Sequence, residues 1–190
     1  MQLTEIEIKE FKQIQSLSLG IDRITVLVGG NNSGKSSIIQ AIHTAVAAAQ
    51  TQVEVGGGAV FTEEALRFSP CSDFISIGHN GPLGNRKDQK RANIKFTAEQ
   101  NADDGSTEGL SYSVELYKGR NPKVVGVNRS GDQQLGVLIS NLNKPFSVFV
   151  LGLAGIPHRE EYVALPVVLR KLAGGEANLI LRNIIYQISE

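Results

Sequence analysis

Hydrophobic and polar positions alternate from the start of the chain. In Leu3–Phe11, Ile6 and Ile8 fall on one face and Glu5, Glu7 and Lys9 on the other, as in a half-buried strand. A second alternation sets Ile14, Leu17 and Leu19 against Gln15, Ser16 and Ser18, and Gly20 closes it. Ile24–Val28 is almost continuously apolar, which predicts a central strand covered on both faces. The period then changes. Ile38, Ala41, Ile42, Ala45, Val46 and Ala49 recur at helical spacing, and the stretch Gln50–Gly58 ends in three glycines, where a helix must stop.

Further on, a short helical turn is expected around Thr62–Phe68 and a strand at Asp73–Ile77. Ala92–Ala98, Leu110–Lys118 and Lys123–Asn128 return to period two, and Leu135–Ser140 reads as one more strand. Their links (QNADDGSTEG, KGRNP, RSGDQQ) are polar and turn-rich, so these strands predict an antiparallel meander. Phe146–Leu151 reads as a buried strand running into GLAGIP. From Arg159 the pattern is helical, with Pro166 suited to a first turn and Gly174-Gly175 ending that element. Ala177–Glu190 carries Leu181, Ile184, Ile185 and Ile188 on one helical face, with nothing after it to cover them.

Composition narrows the function classes. A chain of 190 residues, 41% hydrophobic and 20% charged, suits a globular domain or a piece of a larger one. With 19 basic and 19 acidic residues there is no global pull toward a polyanion. Locally, Arg86, Lys87, Lys90 and Arg91 crowd one loop, a solvated turn or a phosphate-backbone contact with no aromatic residue interleaved. The single cysteine, Cys71, excludes an intrachain disulfide and has no evident activating partner. The first residues lack a signal-peptide core, and the longest apolar run, Phe146–Pro157, is short of the roughly 20 residues that span a bilayer. A cytoplasmic protein with no membrane partner is expected.

The chemistry concentrates between Ile24 and Ile42. Gly29, Gly34, Lys35 and Ser36 satisfy G-x-x-x-x-G-K-[ST], the phosphate-binding loop, set between a strand-like run and a helical one. Small residues let main-chain N–H groups close on phosphate oxygens at a helix N-terminus. Lys35 would reach the β- and γ-phosphates of a nucleoside triphosphate, and the Ser36 hydroxyl would ligate Mg²⁺.

A strand, Phe11-Lys12, a second strand, then GxNxSGKSS and a helix beginning IIQAI together resemble the N-terminal part of ABC-type ATPase heads of the SMC, RecF and OLD-like group. Asn32 ahead of Ser33-Gly34-Lys35 is typical there. The resemblance implies an α/β P-loop NTPase fold: a central strand–P-loop–helix unit, an antiparallel meander and a helical C-terminal segment. It divides the chain into a nucleotide-binding lobe, 1–157, and the start of a helical insertion, 158–190. Carried over, Asn31, Asn32, Ser33, Gly34, Lys35, Ser36 and Ser37 would hold ATP, with Ser36 on Mg²⁺. Lys12 would lie near the nucleotide, or be a plain surface lysine on a strand end.

The group's proteins act in DNA repair, chromosome maintenance and phage defence. A second head, as a homodimer through the nucleotide, and DNA are the implied partners. The sequence departs from the pattern after Phe146–Leu151, where GLAGIP replaces a Mg²⁺-binding glutamine; His79 and Asn80 are weak substitutes. No apolar run followed by Asp-Glu and no LSGG-like string follows Ser37, so hydrolysis by this chain alone is not expected. Two rivals remain. A self-sufficient small P-loop kinase or GTPase would need an acidic Mg²⁺ partner and an NKxD motif, both missing. A degenerate binding module would fit the missing glutamine but not the intact Lys35 and Ser36.

Overall fold

The computed structural model describes residues 1–101, 107–150 and 160–189. Six strands, β1 (Gln2–Phe11), β2 (Ile14–Gly20), β3 (Val60–Thr62), β4 (Ala92–Asn101), β5 (Thr107–Lys118) and β6 (Val124–Gly131), form one sheet in the order β2-β1-β4-β5-β6-β3. Every pairing is antiparallel. The register explains the alternation read from the sequence. Ile8, Ile94 and Val114 lie in one cross-strand row, and Leu116 stands opposite Val127, all on the buried face. The other face is polar, with Lys95 bonded to Glu7 across the β1–β4 pair at 2.8 Å.

Helix α1 (Lys35–Glu54) packs on the buried face. Its stretch from His43 to Gln52 is buried on all sides, and Ala41, Ala45, Ala48 and Ala49 are fully enclosed. Small side chains on every side let sheet and flanking helices approach one rod together. A shorter helix, α2 (Gln133–Ile139), follows β6, and α3 (Leu165–Ala173) and α4 (Leu181–Ser189) come last. As expected, Pro166 sits in the first turn of α3 and Gly174 caps its end. Val168, Leu172, Ile180 and Ile184 join α3 and α4 in a small core of their own, while Ile185 stays exposed. No helix among the described residues is long and apolar enough to cross a membrane.

Four expected strands differ. Ile24–Val28 pairs with no described strand, and Ile24, Val26 and Val28 are 85%, 74% and 90% exposed. The sheet ends at β2, and the run joins neither that edge nor any other described strand. Asp73–Ile77 is instead a 3-10 turn over Phe74–Ile77 that plugs Phe74 and Ile77 into the core. Leu135–Ser140 falls in α2, because Asp132 accepts the Leu135 N–H at 2.9 Å as an N-cap and Leu135 and Ile139 bury one helical face. Phe146–Val150 makes no ladder either: Phe149 is buried singly while Val148 and Val150 are exposed. Leu151 and the GLAGIP stretch lie outside the described residues. The helical turn expected at Thr62–Phe68 is a 3-10 turn, Glu63–Ala65, behind the short β3.

Candidate functional site

The phosphate loop closes on its own lysine. Asn31 and Asn32 form a turn, and Asn32 (φ 65°) and Gly34 (φ 86°) both adopt left-handed backbone. Gly34 is the N-cap of α1 and its carbonyl accepts the Ile38 N–H at 3.0 Å, so the first helical amides, Lys35 to Ser37, have no partner within the helix. A Cβ on Gly29 would come within 2.7 Å of the Ser33 Oγ, so a side chain there would turn that hydroxyl away from Lys35. Lys35 folds back inside, its Nζ donating to the carbonyls of Gly29 (2.7 Å) and Gly30 (2.6 Å) and to the Ser33 Oγ (3.2 Å). The Ser36 side of the loop is exposed, whereas Ser37 is buried. This cradle fits a polyphosphate: an ammonium, free helical amides and an accessible hydroxyl converge, and no carboxylate competes at the loop. Among the described residues no cluster of three His, Cys, Asp or Glu could hold a metal by itself.

Lys12 is held by other partners, in the turn whose next residue, Gln13, approaches Gly34. It sits in the β1–β2 turn with φ 48°, and its Nζ donates to Gln40 Oε1 of α1 at 2.7 Å and to the Pro70 carbonyl at 3.1 Å. The structure therefore does not bring it to the loop's carbonyls with Lys35. His79 and Asn80 stand behind it. Nδ1 of His79 donates to the Lys12 carbonyl at 2.7 Å, and Nε2 receives Asn80 Nδ2 at 2.9 Å. Gln13 was not singled out by any sequence pattern, yet its Oε1 lies 3.9 Å from where a Gly34 Cβ would be. The only signal for it was its place in the turn after Phe11-Lys12.

A mostly apolar groove of about 580 Å³ runs beside Lys35 and Ser36, walled by Ile21, Val26, Leu27, Ile38 and Ile42. Deeper in α1, the sequence also gave no warning of His43. It is 2% exposed, with its ring 4.8 Å from Phe68 and 5.6 Å from Phe149. It joins the helix that starts at the phosphate loop to the end of α3, through Nε2 and the Ala173 carbonyl at 3.1 Å. Burial holds its pKa below the ordinary histidine value, with hydrogen bonds to main chain at Ala173 and Leu172 opposing.

The basic loop is partly spent on the fold. Arg91 pairs with Glu115 at 2.7 Å and lies 4.5 Å from the centre of the Tyr117 ring, and Lys90 bonds the His79 carbonyl and faces Glu10 at 3.7 Å. Arg86 and Lys87 are the two left exposed. Cys71 is a local structural thiol, between the Asp73 carbonyl (3.1 Å) and Ser76 Oγ (3.3 Å).

Residues 1–109 match the family model described as an AAA ATPase domain. No curated protein matches the chain. Among solved structures, the chain is similar to one described as the SMC head bound to the C-winged helix domain of ScpA, with 15% identity and a TM-score of 0.38. That match covers 74% of this chain and 39% of the other, so the chain spans about two fifths of that protein's length. With more than half its length under the family model and the phosphate loop formed inside that half, the chain belongs to the AAA ATPase domain family.

Proposed function

We propose that this chain is the ATP-binding N-terminal lobe of an SMC/RecF/OLD-like ATPase, incomplete for hydrolysis on its own. The observation that carries the reading is the formed cradle, with Lys35 Nζ held by Gly29, Gly30 and Ser33 and α1 starting at Gly34. Phosphate oxygens are stronger acceptors for an ammonium than the neutral oxygens that now hold it, so ATP displaces those contacts. The amides of Lys35 to Ser37 would then face the phosphates, Asn31 and Asn32 shape the turn, and the Ser36 hydroxyl would hold Mg²⁺. The ion, when bound, supplies charge neutralisation at the β- and γ-oxygens. Lys12, bonded to Gln40 of α1, fixes the β1–β2 turn beside the loop.

A carboxylate to position the attacking water is not supplied by the sequence after Ser37, where no apolar run is followed by Asp-Glu. The apolar groove beside Lys35 and the exposed Ile24–Val28 run suit cover by a second lobe that would carry the missing hydrolytic groups. In this reading residues 1–157 form the nucleotide lobe and 158–190 begin a helical insertion. The intact protein is cytoplasmic, dimerises head to head through ATP, and couples turnover to DNA in repair, chromosome maintenance or phage defence. Calorimetric titration of Mg-ATP into the chain and into Lys35→Ala tests the site. Loss of charge-assisted bonds worth about 1.5–3 kcal/mol predicts roughly ten- to hundredfold weaker binding in the variant. Equal affinity in the two proteins would remove ATP from this loop.

A further inference from the structure

One strand of the sheet is only half covered on its outer side. β3 pairs with β6 over Val124–Gly126, whereas β5 follows β6 as far as Gly131. The Val127 N–H still reaches the Ala59 carbonyl at 2.9 Å. Past it, Asn128–Ser130 have no strand on the β3 side among the described residues. Outward-facing main-chain groups alternate along an antiparallel strand, so after Val125 and Val127 the next outward pair belongs to Arg129.

A groove of about 730 Å³ opens along this edge between α1 and α2, lined by Gln52, Val53, Tyr112, Arg129 and Val137 among others. Gln52 is 6% exposed, and its Nε2 donates to the carbonyls of Gly58 (3.1 Å) and Val127 (3.2 Å). Those two acceptors fix the amide, since a flipped group would set oxygen against oxygen. Its Oε1 is buried with no partner. A buried acceptor left unmet is costly, and Gln52 is one of the residues that line the groove. Val53 and Val137 stand exposed on the two rims. Arg129 is the one charged side chain in the lining, which Tyr112 shares.

We propose that this groove is a docking site for an extended acidic peptide of a partner protein, added to β6 in line with β3. The peptide main chain pairs with the N–H and C=O of Arg129, and one of its N–H groups donates to Gln52 Oε1. An aliphatic side chain covers Val53 and Val137, and a carboxylate reaches the Arg129 guanidinium. An open ladder edge selects a peptide over a small molecule, and the lone cation selects an acidic one. The site lies near the far end of α1 from the phosphate loop and is independent of the ATP reading.

The test is a titration of the isotopically labelled chain with acetyl-Thr-Val-Asp-Val-Thr-amide, followed by amide and glutamine side-chain shifts up to roughly 1 mM peptide. Saturable shifts are expected at Arg129, Val137 and the Gln52 carboxamide, and not at the phosphate loop. N-methylating the amides that face β6 should weaken binding about three- to tenfold for each bond lost. Replacing the peptide's Asp by Lys should weaken it too. Val137→Asp, at an exposed position, should weaken binding without moving the unfolding midpoint. No saturable shift, equal affinity for the N-methylated or Lys peptide, or shifts centred away from Arg129 would each overturn the proposal.

Discussion

Acidification should loosen the chain through one histidine. The Ala173 carbonyl can only accept, so His43 carries its proton on Nε2, and Nδ1 accepts from the Ser147 hydroxyl at 2.9 Å. The ring is enclosed by Phe68 and Phe149, and burial lowers its pKa from the ordinary 6.5. Between 6.5 and the lower folded value, the unfolded chain binds a proton that the folded chain refuses. Stability therefore rises with pH through that window and is lost as pH falls below 6.5, with a slope of at most about 1.4 kcal/mol per pH unit. The carboxylates act lower down. Glu7 and Glu54, held below the ordinary 4.5 by hydrogen bonds from Lys95 and Arg67, lose their contribution only as pH falls through that range. Urea unfolding between about pH 5 and 7.5 isolates the histidine. His43→Gln keeps a donor for Ala173 and removes the titration, so its midpoint should be flat where the parent's falls. The same slope in both proteins would refute the assignment.

Two further outcomes follow from the loop and its flank. Gly34→Ala places a side chain at φ 86° with no atom within 3.9 Å of its Cβ, so the loss is backbone strain alone, about 1–2 kcal/mol, read by urea unfolding. An unchanged midpoint would mean that the left-handed cap is not held. Val26→Thr with Val28→Thr alters residues 74% and 90% exposed, so the chain alone should lose less than about 0.5 kcal/mol in urea unfolding. A loss of several times that would show the segment to be packed.

The sequence was most legible where the neighbours that complete an element lie close along the chain. β1 and β2 form a hairpin, as do β5 and β6; the alternation put Ile6, Ile8 and Ile14 on the apolar face, and all three are buried, while Leu17 and Leu19 are half-buried. The helix after the phosphate loop and the Gly174 stop are likewise local signals. Apolar runs were less informative. Ile24–Val28 and Phe146–Val150 have strand composition, but a strand is completed by a ladder, and neither finds one among the described residues. Leu135 and Ile139 suit one helical face as well as a strand, and the deciding feature was Asp132 three residues before Leu135. Charge crowding misled in another way, since Arg91 and Lys90 serve Glu115 and the His79 carbonyl, both distant in sequence.

The candidate site shows the same division between local and distant causes. The motif fixed which residues line the cradle, because loop, cap and helix start are consecutive. It said nothing about what holds the cradle in shape before a phosphate arrives. That part belongs to Lys35, whose three acceptors all come from the loop itself. A cation at the centre of converging carbonyls keeps Gly29 and Gly30 turned inward and offsets their dipoles. Removing it by Lys35→Ala therefore does two things: it deletes a phosphate contact and it releases the loop. The two separate in Lys35→Arg, which keeps the charge but cannot place a planar guanidinium on three oxygens that a compact ammonium reaches at once. If charge alone governs, Arg binds Mg-ATP as the parent does. If the closed loop matters, Arg binds as poorly as Ala, and the amides from Gly29 to Ser33 exchange with solvent faster in both variants.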